Sequence, residues 1–336
     1  MGSPGLKRGL DSSPELRQEW RGETGRRGKE APGYLSLAAS GELGRRAETL
    51  REMLRSCSLC PRHCRVDRLS GETGACGVDS RLRVAAVNVH RWEEPPISGS
   101  RGSGTVFFTG CTLSCVFCQN YPISQLGVGR SMEVEELAQG MLDLQRKGVH
   151  NINLVTATHQ MHGVVAALVL AVEKGFRLPL VYNSSGYEDL ETLRILDGIV
   201  DIYLPDMKYS DGALARRFSG RSDYVVHNRR ALLEMWHQVG PLQLDGEGLA
   251  YRGLLVRHLV LPGAISGSRE SFAFLASEMG PQVWISLMMQ YFPAHKAAGF
   301  PPLDRKVTLE EYEEAFGLLG HFGLENGFVQ SCSESC

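Results

Sequence analysis

The sequence lacks any apolar run long enough to cross a membrane. Its 336 residues are 43% hydrophobic and 22% charged, and no stretch approaches the roughly 18 consecutive apolar residues that a spanning helix needs. The first residues also lack the apolar core of a secretory signal. Leu6 stands where the myristoylation pattern requires Ser or Thr. We therefore expect a cytoplasmic protein that has no membrane partner.

An excess of charge of one sign is missing as well. The chain has 36 Lys and Arg against 38 Asp and Glu, which gives a net charge of −2 and a pI near 6.6. A protein that binds a nucleic-acid polyanion usually carries a basic balance. The composition therefore argues against a nucleic-acid partner, although it leaves a local basic patch open.

Cysteines, in contrast, are present and clustered. Seven of the nine cysteines fall between Cys57 and Cys118. In a reducing compartment such clustering indicates a metal site or catalysis rather than disulfides. The other two, Cys332 and Cys336, lie in a polar tail, where we expect free thiols. A late ligand or a redox pair is the alternative for these two.

Composition divides the chain into four parts. Residues 1–50 are rich in Gly, Arg, Ser and Glu, and they are predicted to form a disordered tail. A transit peptide is the alternative, against which the several Glu residues count. Residues 51–95 form a Cys-rich, turn-rich segment predicted to bind metal. Residues 96–325 form the core, and 326–336 are predicted to be a flexible tail.

The core alternates apolar strands with amphipathic helices. Six strands are predicted, over 104–110, 151–156, 178–183, 201–205, 253–263 and 282–289. Ser131 is predicted to cap the helix after the first strand. Thr308 and Glu311 form a capping box for the last helix, whose inward residues should be Leu309, Tyr312, Phe316 and Leu319. Continuously apolar strands alternating with helices predict a parallel sheet covered by helices.

Both a barrel and an open doubly wound sheet satisfy this alternation. Nearly every predicted strand ends in a polar or Gly/Pro cluster, such as Thr156–His159, Asn183–Gly186 and Asp206–Lys208. A βα barrel spreads its site over the carboxyl ends of many strands, whereas a doubly wound sheet concentrates it at one switch point. The sequence therefore predicts an α/β fold, a partial (βα)6 TIM-like barrel with a small N-terminal Cys-rich segment.

Three cysteines crowd into "GCTLSCVFCQN" directly after the first predicted strand. Cys111, Cys115 and Cys118 form Cys-x3-Cys-x2-Cys. Four-iron clusters usually take four thiolates, so three protein ligands would leave one iron open, as in a reactive metal centre. The alternatives are a buried cysteine cluster or a zinc site that shares a fourth ligand.

This motif after the first strand is identified as the signature of the radical S-adenosylmethionine (SAM) superfamily. From about 104 to 261 the chain resembles the pyruvate formate-lyase activating enzyme group, in particular the branch with an N-terminal Cys-rich segment. Three further stretches carry the resemblance: "YNSSGY" (182–187), "DIYLPDMK" (201–208) and "LLVRHLVLPG" (254–263). Together these matches span about half of the chain.

The resemblance implies a radical SAM oxidoreductase with a [4Fe–4S] cluster on Cys111, Cys115 and Cys118. In the family, SAM chelates the fourth iron and is cleaved reductively to a 5′-deoxyadenosyl radical that abstracts hydrogen from a substrate. The implied partners are a glycyl radical enzyme, whose glycine is the substrate, and an electron donor such as flavodoxin or ferredoxin. Two alternatives stay open: a small molecule or another protein residue as substrate, and a metal-binding interaction protein with a degenerate site.

The resemblance also implies cofactor-binding roles for six residues, and it assigns no catalytic residue. These are Phe117, Asn183, Ser184, Asp206, Lys208 and His258. Phe117 matches the aromatic position beside the SAM adenine, Asp206 a cation-binding position, and Lys208 a contact to the SAM carboxylate. The alternatives are a turn or cap for Asp206, a solvated surface lysine for Lys208 and a hydrogen-bonded core histidine for His258.

The chain departs from the family pattern after the second strand. The Gly-Gly-Glu segment that meets the SAM amino group is replaced by "NLVTATH", in which Thr156, Thr158 and His159 are candidate substitutes. Asn183 also stands where the activating enzymes usually have Asp. None of these motifs encodes recognition of the substrate.

A second cysteine set precedes the core. Cys57-x2-Cys60-x3-Cys64-x11-Cys76 offers four thiols, and His63 could replace one of them. Four thiolates close a structural zinc site or a second iron–sulfur cluster. A segment this short needs such a metal because it cannot build a sufficient core. The spacing does not distinguish zinc from iron, or a structural metal from an electron relay.

Overall fold

The computed structural model describes residues 17–21 and 31–331. Its strands are β1 Arg17–Arg21, β2 Leu82–His90, β3 Ser103–Phe108, β4 Arg130–Met132, β5 Ile152–Val155, β6 Leu180–Ser184, β7 Ile202–Pro205, β8 Gln243–Leu244, β9 Ala250–Leu259, β10 Trp284–Met288 and β11 Gly327–Ser331. Its helices are α1 Tyr34–Ala39, α2 Glu42–Glu52, α3 Pro95–Ser98, α4 Tyr121–Ser124, α5 Val134–Arg146, α6 Met161–Glu173, α7 Leu190–Ile195, α8 Gly212–Ser219, α9 Tyr224–Val239, α10 Ser268–Met279 and α11 Leu309–His321. None of the helices in these two ranges is long and apolar enough to span a membrane.

The strands form one mixed sheet in the order β1-β11-β10-β9-β7-β6-β5-β3-β2-β4, and β8 pairs with β9. Neighbours from β3 through β11 run parallel. The remaining strands pair antiparallel: β2 with β3 and β4, β8 with β9, and β1 with β11. The chain therefore has an α/β fold with a mostly parallel sheet, and the six strands expected from the apolar runs are all present.

The two faces of the sheet bury different apolar sets. One face, here called the inner face, carries Val181, Ile202, Leu204, Leu255 and Trp284, on which Ile97 from α3 packs. The opposite, outer face packs against the helices through residues such as Tyr182, Tyr203 and Val256. Since side chains alternate along a strand, the orientation of one side chain on each strand shows which of its neighbours face inward.

The N-terminal region differs from the disordered tail expected over residues 1–50. Residues 34–50 belong largely to α1 and α2, and Tyr34, Leu43 and Leu50 are buried. The Tyr34 hydroxyl donates to the Leu178 carbonyl at 2.8 Å. A few well-spaced apolar residues suffice here because the helices dock on an existing core. Residues 17–21 form β1, and residues 1–16 and 22–30 lie outside the described residues.

Other expected boundaries also shift. The flexible tail expected from 326 contains β11, while Cys332 and Cys336 lie outside the described residues. The Cys-rich segment expected over 51–95 contributes β2, which pairs with β3, so it shares the sheet of the core. Ser131 lies in β4, and Glu133 is the N-cap of α5.

The last helix begins as expected. Thr308 and Glu311 form the capping box of α11, in which each side chain pairs with the other residue's backbone N–H. Tyr312 and Leu319 are buried. Leu309 was expected to face inward but is 48% exposed, because it occupies the first helical position, outside the packed turn.

Candidate functional site

The loop after β3 places three cysteines at the carboxyl edge of the parallel strands. Each sulfur has a polar neighbour: the Leu113 N–H donates to Cys111 Sγ at 3.4 Å, the Ser219 hydroxyl donates to Cys115 Sγ at 2.9 Å, and Ser124 Oγ lies 3.2 Å from Cys118 Sγ. Donors of this kind stabilise thiolate sulfur in metal sites.

Backbone contacts hold this loop against α8. The Val116 N–H donates to the Phe218 carbonyl at 2.8 Å, and the Ser114 N–H donates to the Ser219 carbonyl at 3.3 Å. The two bonds fix the middle of the loop, where Cys115 is 8% exposed. The positions of the cysteines are therefore set by the fold and not by a metal alone.

The thiols of this loop are poorly solvated. Burial raises the pKa of Cys111 to about 12 and that of Cys115 to about 11, although Lys208 opposes the rise at Cys115. Thiolates in such a place need a nearby positive charge, which an iron–sulfur cluster would supply. Three soft thiol donors from one loop, each with a hydrogen-bonding neighbour, fit a [4Fe–4S] cluster.

An ion pair lies beside these thiols, just past the end of β7. The Lys208 ammonium contacts the Asp206 carboxylate. Burial works against the charge on Lys208, but Asp206 and then the Cys115 thiolate raise its pKa above the ordinary value. The structure thus brings Asp206 and Lys208 to the cluster loop. Lys208 is therefore not the solvated surface lysine of the alternative interpretation, since its side chain is only 18% exposed.

Strand alternation separates the two expected residues of β6. Asn183, 8% exposed, follows Val181 on the inner face. Ser184 faces the other way, and its Oγ accepts a hydrogen bond from the Gly186 N–H at 3.1 Å. The cofactor role expected for Ser184 is therefore not supported by its orientation. Ser185 is next in the alternation, and its buried hydroxyl has no hydrogen-bond partner among the described residues.

Phe117 lies between two tyrosines beside Cys118. It is 5% exposed and makes edge contacts with Tyr209 and Tyr291, at centroid distances of 6.4 and 6.0 Å. Tyr291 follows β10 at the carboxyl edge, so this aromatic group lies at the same edge of the sheet as the cluster loop.

His258 is a core histidine on the outer face. Its Nδ1 donates to the Met207 carbonyl at 2.8 Å, and its Nε2 accepts from the Ser268 hydroxyl at 3.0 Å. Burial lowers its pKa to about 4. This arrangement matches the alternative of a hydrogen-bonded core histidine, because alternation along β9 turns the neighbouring Arg257 inward instead.

Two candidates in the segment "NLVTATH" already have hydrogen-bond partners within the protein. The Thr158 hydroxyl donates to Glu188 at 2.9 Å, and the His159 ring donates to the Thr109 carbonyl at 2.8 Å. Thr156, at the carboxyl end of β5, has a φ of +57°. This conformation is strained for a β-branched residue, and strain of this kind concentrates at functional sites.

Sequence reasoning missed a charged group on the inner face. Arg257 of β9 lies between Glu93 and Glu94, with nitrogen–oxygen distances of 3.4 Å to each carboxylate. Arg257 also lies 3.9 Å from Asp206, and Asn153 Nδ2 donates to Glu93 at 3.0 Å. The available signals were two adjacent acids before Pro-Pro in "RWEEPPIS" and an arginine inside an apolar strand.

The N-terminal cysteines also form a group. Cys57, Cys64 and Cys76 lie near enough to Cys60 to influence its titration, and burial is the main cause of its raised pKa. The Ala75 N–H donates to Cys64 Sγ at 3.4 Å. His63 instead pairs with Asp189 at 2.8 Å. In the described ranges, no three His, Cys, Asp or Glu side chains form a single-ion metal site.

Arg68 is a buried cation next to this group. It is 1% exposed, and its guanidinium donates to the carbonyls of Asp79 and His159, while Nη1 lies 3.7 Å from Cys57 Sγ. Burial has the largest effect on the pKa of Cys76 and raises it. The charge of Arg68 has the next largest effect and lowers this pKa. A fixed cation beside four thiols fits a site that holds thiolates around a metal.

The segments that carry the two cysteine groups contact each other. Arg62 Nε donates to the Thr112 carbonyl at 2.6 Å, inside the cluster loop. Cys76 and Gly110 both line a pocket of about 360 Å³, together with Arg81, Arg83 and Leu126. The pocket therefore gives access to Cys76 and to the start of the cluster loop at Gly110.

Comparison with known proteins is consistent with this site. Residues 105–240 match the model of the Radical SAM superfamily. The chain is 28% identical over 290 residues to the uncharacterized protein MJ0674 of Methanocaldococcus jannaschii, covering 83% of this chain and 79% of that protein.

Solved structures show weaker similarity. The Streptococcus suis protein SuiB, bound to its precursor peptide SuiA, has 12% identity and a TM-score of 0.45, with 66% of this chain and 47% of that chain covered. A radical SAM methyltransferase from Sphaerobacter thermophilus has 13% identity and a TM-score of 0.43, with coverages of 67% and 65%. HydG, a maturase of the [FeFe]-hydrogenase, has 12% identity and a TM-score of 0.46, with coverages of 88% and 65%.

The chain thus spans between about half and two-thirds of the length of these solved proteins. Similarity at this level carries no information about substrate. The superfamily match, in contrast, includes the cluster loop, β5, β6, β7 and the Asp206–Lys208 pair. Over residues 105–240 the chain is therefore similar to the radical SAM superfamily, a family of enzymes that use a [4Fe–4S] cluster and SAM.

Proposed function

We propose that this chain is a radical SAM oxidoreductase whose cluster is held by Cys111, Cys115 and Cys118. The observation that carries the proposal is the half-buried Lys208 ammonium, which pairs with Asp206 and lies near enough to Cys115 for each to shift the pKa of the other. When bound, the cluster and SAM supply a carbon-centred radical able to remove a hydrogen atom from a substrate. We further propose that the parallel strands curve as a partial (βα)6 barrel around this site.

The residues of the chain have binding and orienting roles in this proposal. Lys208 binds the SAM carboxylate as a charge-assisted donor, and Asp206 holds the lysine side chain in place. Asn183 offers an amide from the inner face, and Phe117 provides an apolar edge for the adenine. Because Phe117 is buried and the Lys208 side chain is only 18% exposed, these two residues limit the access of water to the place where the cofactor would lie.

The proposed reaction type is that of an activating enzyme, with a glycine of a partner glycyl radical enzyme as the substrate. The support is the resemblance of 182–187, 201–208 and 254–263 to that group. A small molecule or another protein residue is the second candidate substrate. We propose a cytoplasmic location and an electron donor such as flavodoxin or ferredoxin. Arg81 and Arg83, which line the pocket beside Cys76 and Gly110, would suit its acidic surface.

Anaerobic reconstitution with iron and sulfide, followed by dithionite and SAM, tests the radical SAM activity. The wild-type chain should release 5′-deoxyadenosine, and Cys118→Ala should lose both this product and about half of the bound iron if both cysteine groups hold clusters. A metal-binding interaction protein with a degenerate site would release none. Absence of 5′-deoxyadenosine, together with unchanged iron in Cys118→Ala, would reject the proposal.

We also propose a second metal at Cys57, Cys60, Cys64 and Cys76. The support is the cation of Arg68 and the Ala75 N–H directed at Cys64 Sγ. Iron and zinc analysis of Cys60→Ala distinguishes the metals, with Cys118→Ala as the matched control. If the metal content of Cys60→Ala equals that of the wild type, there is no such site. A second reduced-cluster signal in electron paramagnetic resonance would favour a relay, and zinc a structural role.

A further inference from the structure

A buried chain of hydrogen bonds leads to one sulfur of the cluster loop. The Ser219 hydroxyl donates to Cys115 Sγ at 2.9 Å, and the Tyr209 hydroxyl lies 2.6 Å from Ser219 Oγ. Ser219, at the end of α8, and Tyr209, which follows β7, are both fully buried. None of the cofactor roles proposed above uses Tyr209 or accounts for the place of its hydroxyl.

The direction of this chain follows from the number of protons. A cysteine that binds iron is a thiolate, which accepts hydrogen bonds and has no proton to donate. The Ser219 hydroxyl has one proton, and the bond to Cys115 uses it. Tyr209 must therefore donate to Ser219 Oγ. A donor behind the serine strengthens the bond to the sulfur, because consecutive hydrogen bonds polarise one another.

The end of α8 leaves the Ser219 hydroxyl available for Cys115. A serine in a helix often donates to the carbonyl four residues earlier, which here is that of Ala215. That carbonyl already accepts from the N–H groups of Gly220 and Arg221, because Gly220 ends the helix with a φ of +72°. The competing acceptor is thus occupied by the backbone, and the serine donates to the sulfur instead.

Aromatic packing fixes the position of the tyrosine hydroxyl. The Tyr209 ring makes edge contacts with Phe117 and Tyr224, at centroid distances of 6.4 and 5.5 Å. Phe117 belongs to the cluster loop, and the Tyr224 hydroxyl accepts from the Lys208 N–H at 3.0 Å. A side chain locked by packing holds its polar group in one geometry. The tyrosine hydroxyl is therefore held against Ser219 before any cofactor binds.

We propose that Tyr209 and Ser219 raise the reduction potential of the cluster through Cys115, as positioning residues. The inference rests on the proposed function, since it needs a [4Fe–4S] cluster on the three cysteines. Reduction adds one negative charge to the iron and sulfur atoms, so a hydrogen bond to a ligand sulfur stabilises the reduced state more than the oxidised state. Burial keeps this effect from being screened by water. Only an electron is transferred, and each proton stays on its own oxygen.

The test measures a potential and does not depend on SAM cleavage. The reconstituted full chain is titrated anaerobically with dithionite, without SAM, and the reduced cluster is followed by the electron paramagnetic resonance signal that Cys118→Ala lacks. We expect Ser219→Ala to lower the ratio of reduced to oxidised cluster about tenfold at a fixed potential, which is a shift of about 59 mV for one electron. Tyr209→Phe should lower it less, by about threefold. Ser271→Ala on α10 and Tyr34→Phe on α1, both buried positions, are the matched controls and should equal the wild type.

A double variant tests whether the tyrosine acts through the serine. Ser219→Ala combined with Tyr209→Phe should have the potential of Ser219→Ala alone, because the second change removes a donor that no longer influences the sulfur. Additive shifts would show that the two residues act separately, and they would overturn the inference.

The remaining results also decide the inference. A potential of Ser219→Ala equal to or above that of Ser271→Ala would overturn it, and the proposed function would stand if 5′-deoxyadenosine is still formed. If Ser219→Ala lost its iron, Tyr209→Phe would decide, and a potential equal to that of Tyr34→Phe would overturn the inference. A wild-type chain that binds no cluster would reject the proposed function and the inference together. Shifted potentials in a chain that leaves SAM intact would reject the proposed function alone.

Discussion

The carbonyl oxygen of Cys76 lies 2.5 Å from where a Cβ atom on Gly110 would stand. Gly110 also has a φ of +89°. The first residue of the cluster loop is thus in backbone contact with the last cysteine of the N-terminal group. Only glycine satisfies both the conformation and the contact.

Replacement of Gly110 with Ala should therefore disturb both cysteine groups. We expect a loss of about 2–4 kcal/mol in the free energy of unfolding, from strained φ and overpacking together, and a lower iron content. Gly127 has a φ of +73° and open space around its Cβ position. Gly127→Ala should cost only about 1 kcal/mol. Equal losses in the two variants, measured by urea unfolding, would show that the Cys76 contact is unimportant.

Arg68→Leu should destabilise the Cys-rich segment more than the surface substitution Arg81→Leu does. The change leaves the buried carbonyls of Asp79 and His159 without donors, at a cost of about 3 kcal/mol. Arg81→Leu alters a side chain that is 68% exposed, and it should stay within about 0.5 kcal/mol of the wild type. Limited proteolysis between 57 and 80, together with metal analysis, measures the difference. Intact segments in both variants would contradict the prediction.

Lys208→Met should weaken SAM binding at least tenfold, because a charge-assisted contact to the SAM carboxylate is lost. Lys147→Met, at the exposed end of α5, is the matched control. Equilibrium dialysis with labelled SAM gives both affinities. Iron content should remain at the wild-type level in both variants. If affinity and iron fell together, Lys208 would serve the cluster and not the SAM carboxylate.

His162 should make the fold sensitive to acid. It is 6% exposed, its Nε2 donates to the Ser80 carbonyl, and burial lowers its pKa to about 3. The unfolded chain takes up a proton near pH 6.5, so stability is lost as the pH falls below that value. From pH 7 to pH 5 the loss from this residue is about 2 kcal/mol.

His162→Gln keeps a donor for Ser80 and removes the titration. The urea midpoint of this variant should fall less steeply with pH than that of His321→Gln, whose histidine is exposed at the end of α11. Parallel pH profiles for the two variants would show that His162 is not the source of the acid sensitivity.

Glu188 should make the fold less stable as the pH rises, which is the opposite of the effect of His162. It accepts hydrogen bonds from Thr158 and Tyr182, and burial raises its pKa to about 7. The folded state therefore favours the protonated acid, and stability falls as the pH rises from its unfolded pKa of 4.5. Glu188→Gln should gain about 2 kcal/mol over the wild type between pH 5 and pH 8. Glu191→Gln, on the exposed first turn of α7, should show no such gain.

Features determined by local sequence could be predicted. The three cysteines lie within one loop, the parallel strands are continuous apolar runs, and the capping box at Thr308 spans four residues. In each case the residues that decide the structure are near one another in the chain, so spacing and periodicity suffice.

Features that depend on distant pairing could not. Glu93 and Arg257 are 164 residues apart, and neither shows its partner in the sequence. The orientation of Ser184 and His258 required knowledge of which strand face turns inward, and a shift by one residue reverses that face. The burial of Tyr34 and Leu50 could not be predicted, because α1 and α2 become buried only when α6 and the neighbouring strands are in place.

The turn that carries Ile97 lies outside the part of the chain that matches the superfamily. The superfamily match begins at 105 and ends at 240, which includes every cysteine of the cluster loop and the Asp206–Lys208 pair. Glu93, Glu94 and Arg257 all lie outside those limits. The residues that carry the proposed radical chemistry and the charged group around Arg257 are therefore separate in the sequence. Substitutions at 91–99 and in β9 would therefore change the inner face without changing any residue of the cluster loop or of the Asp206–Lys208 pair.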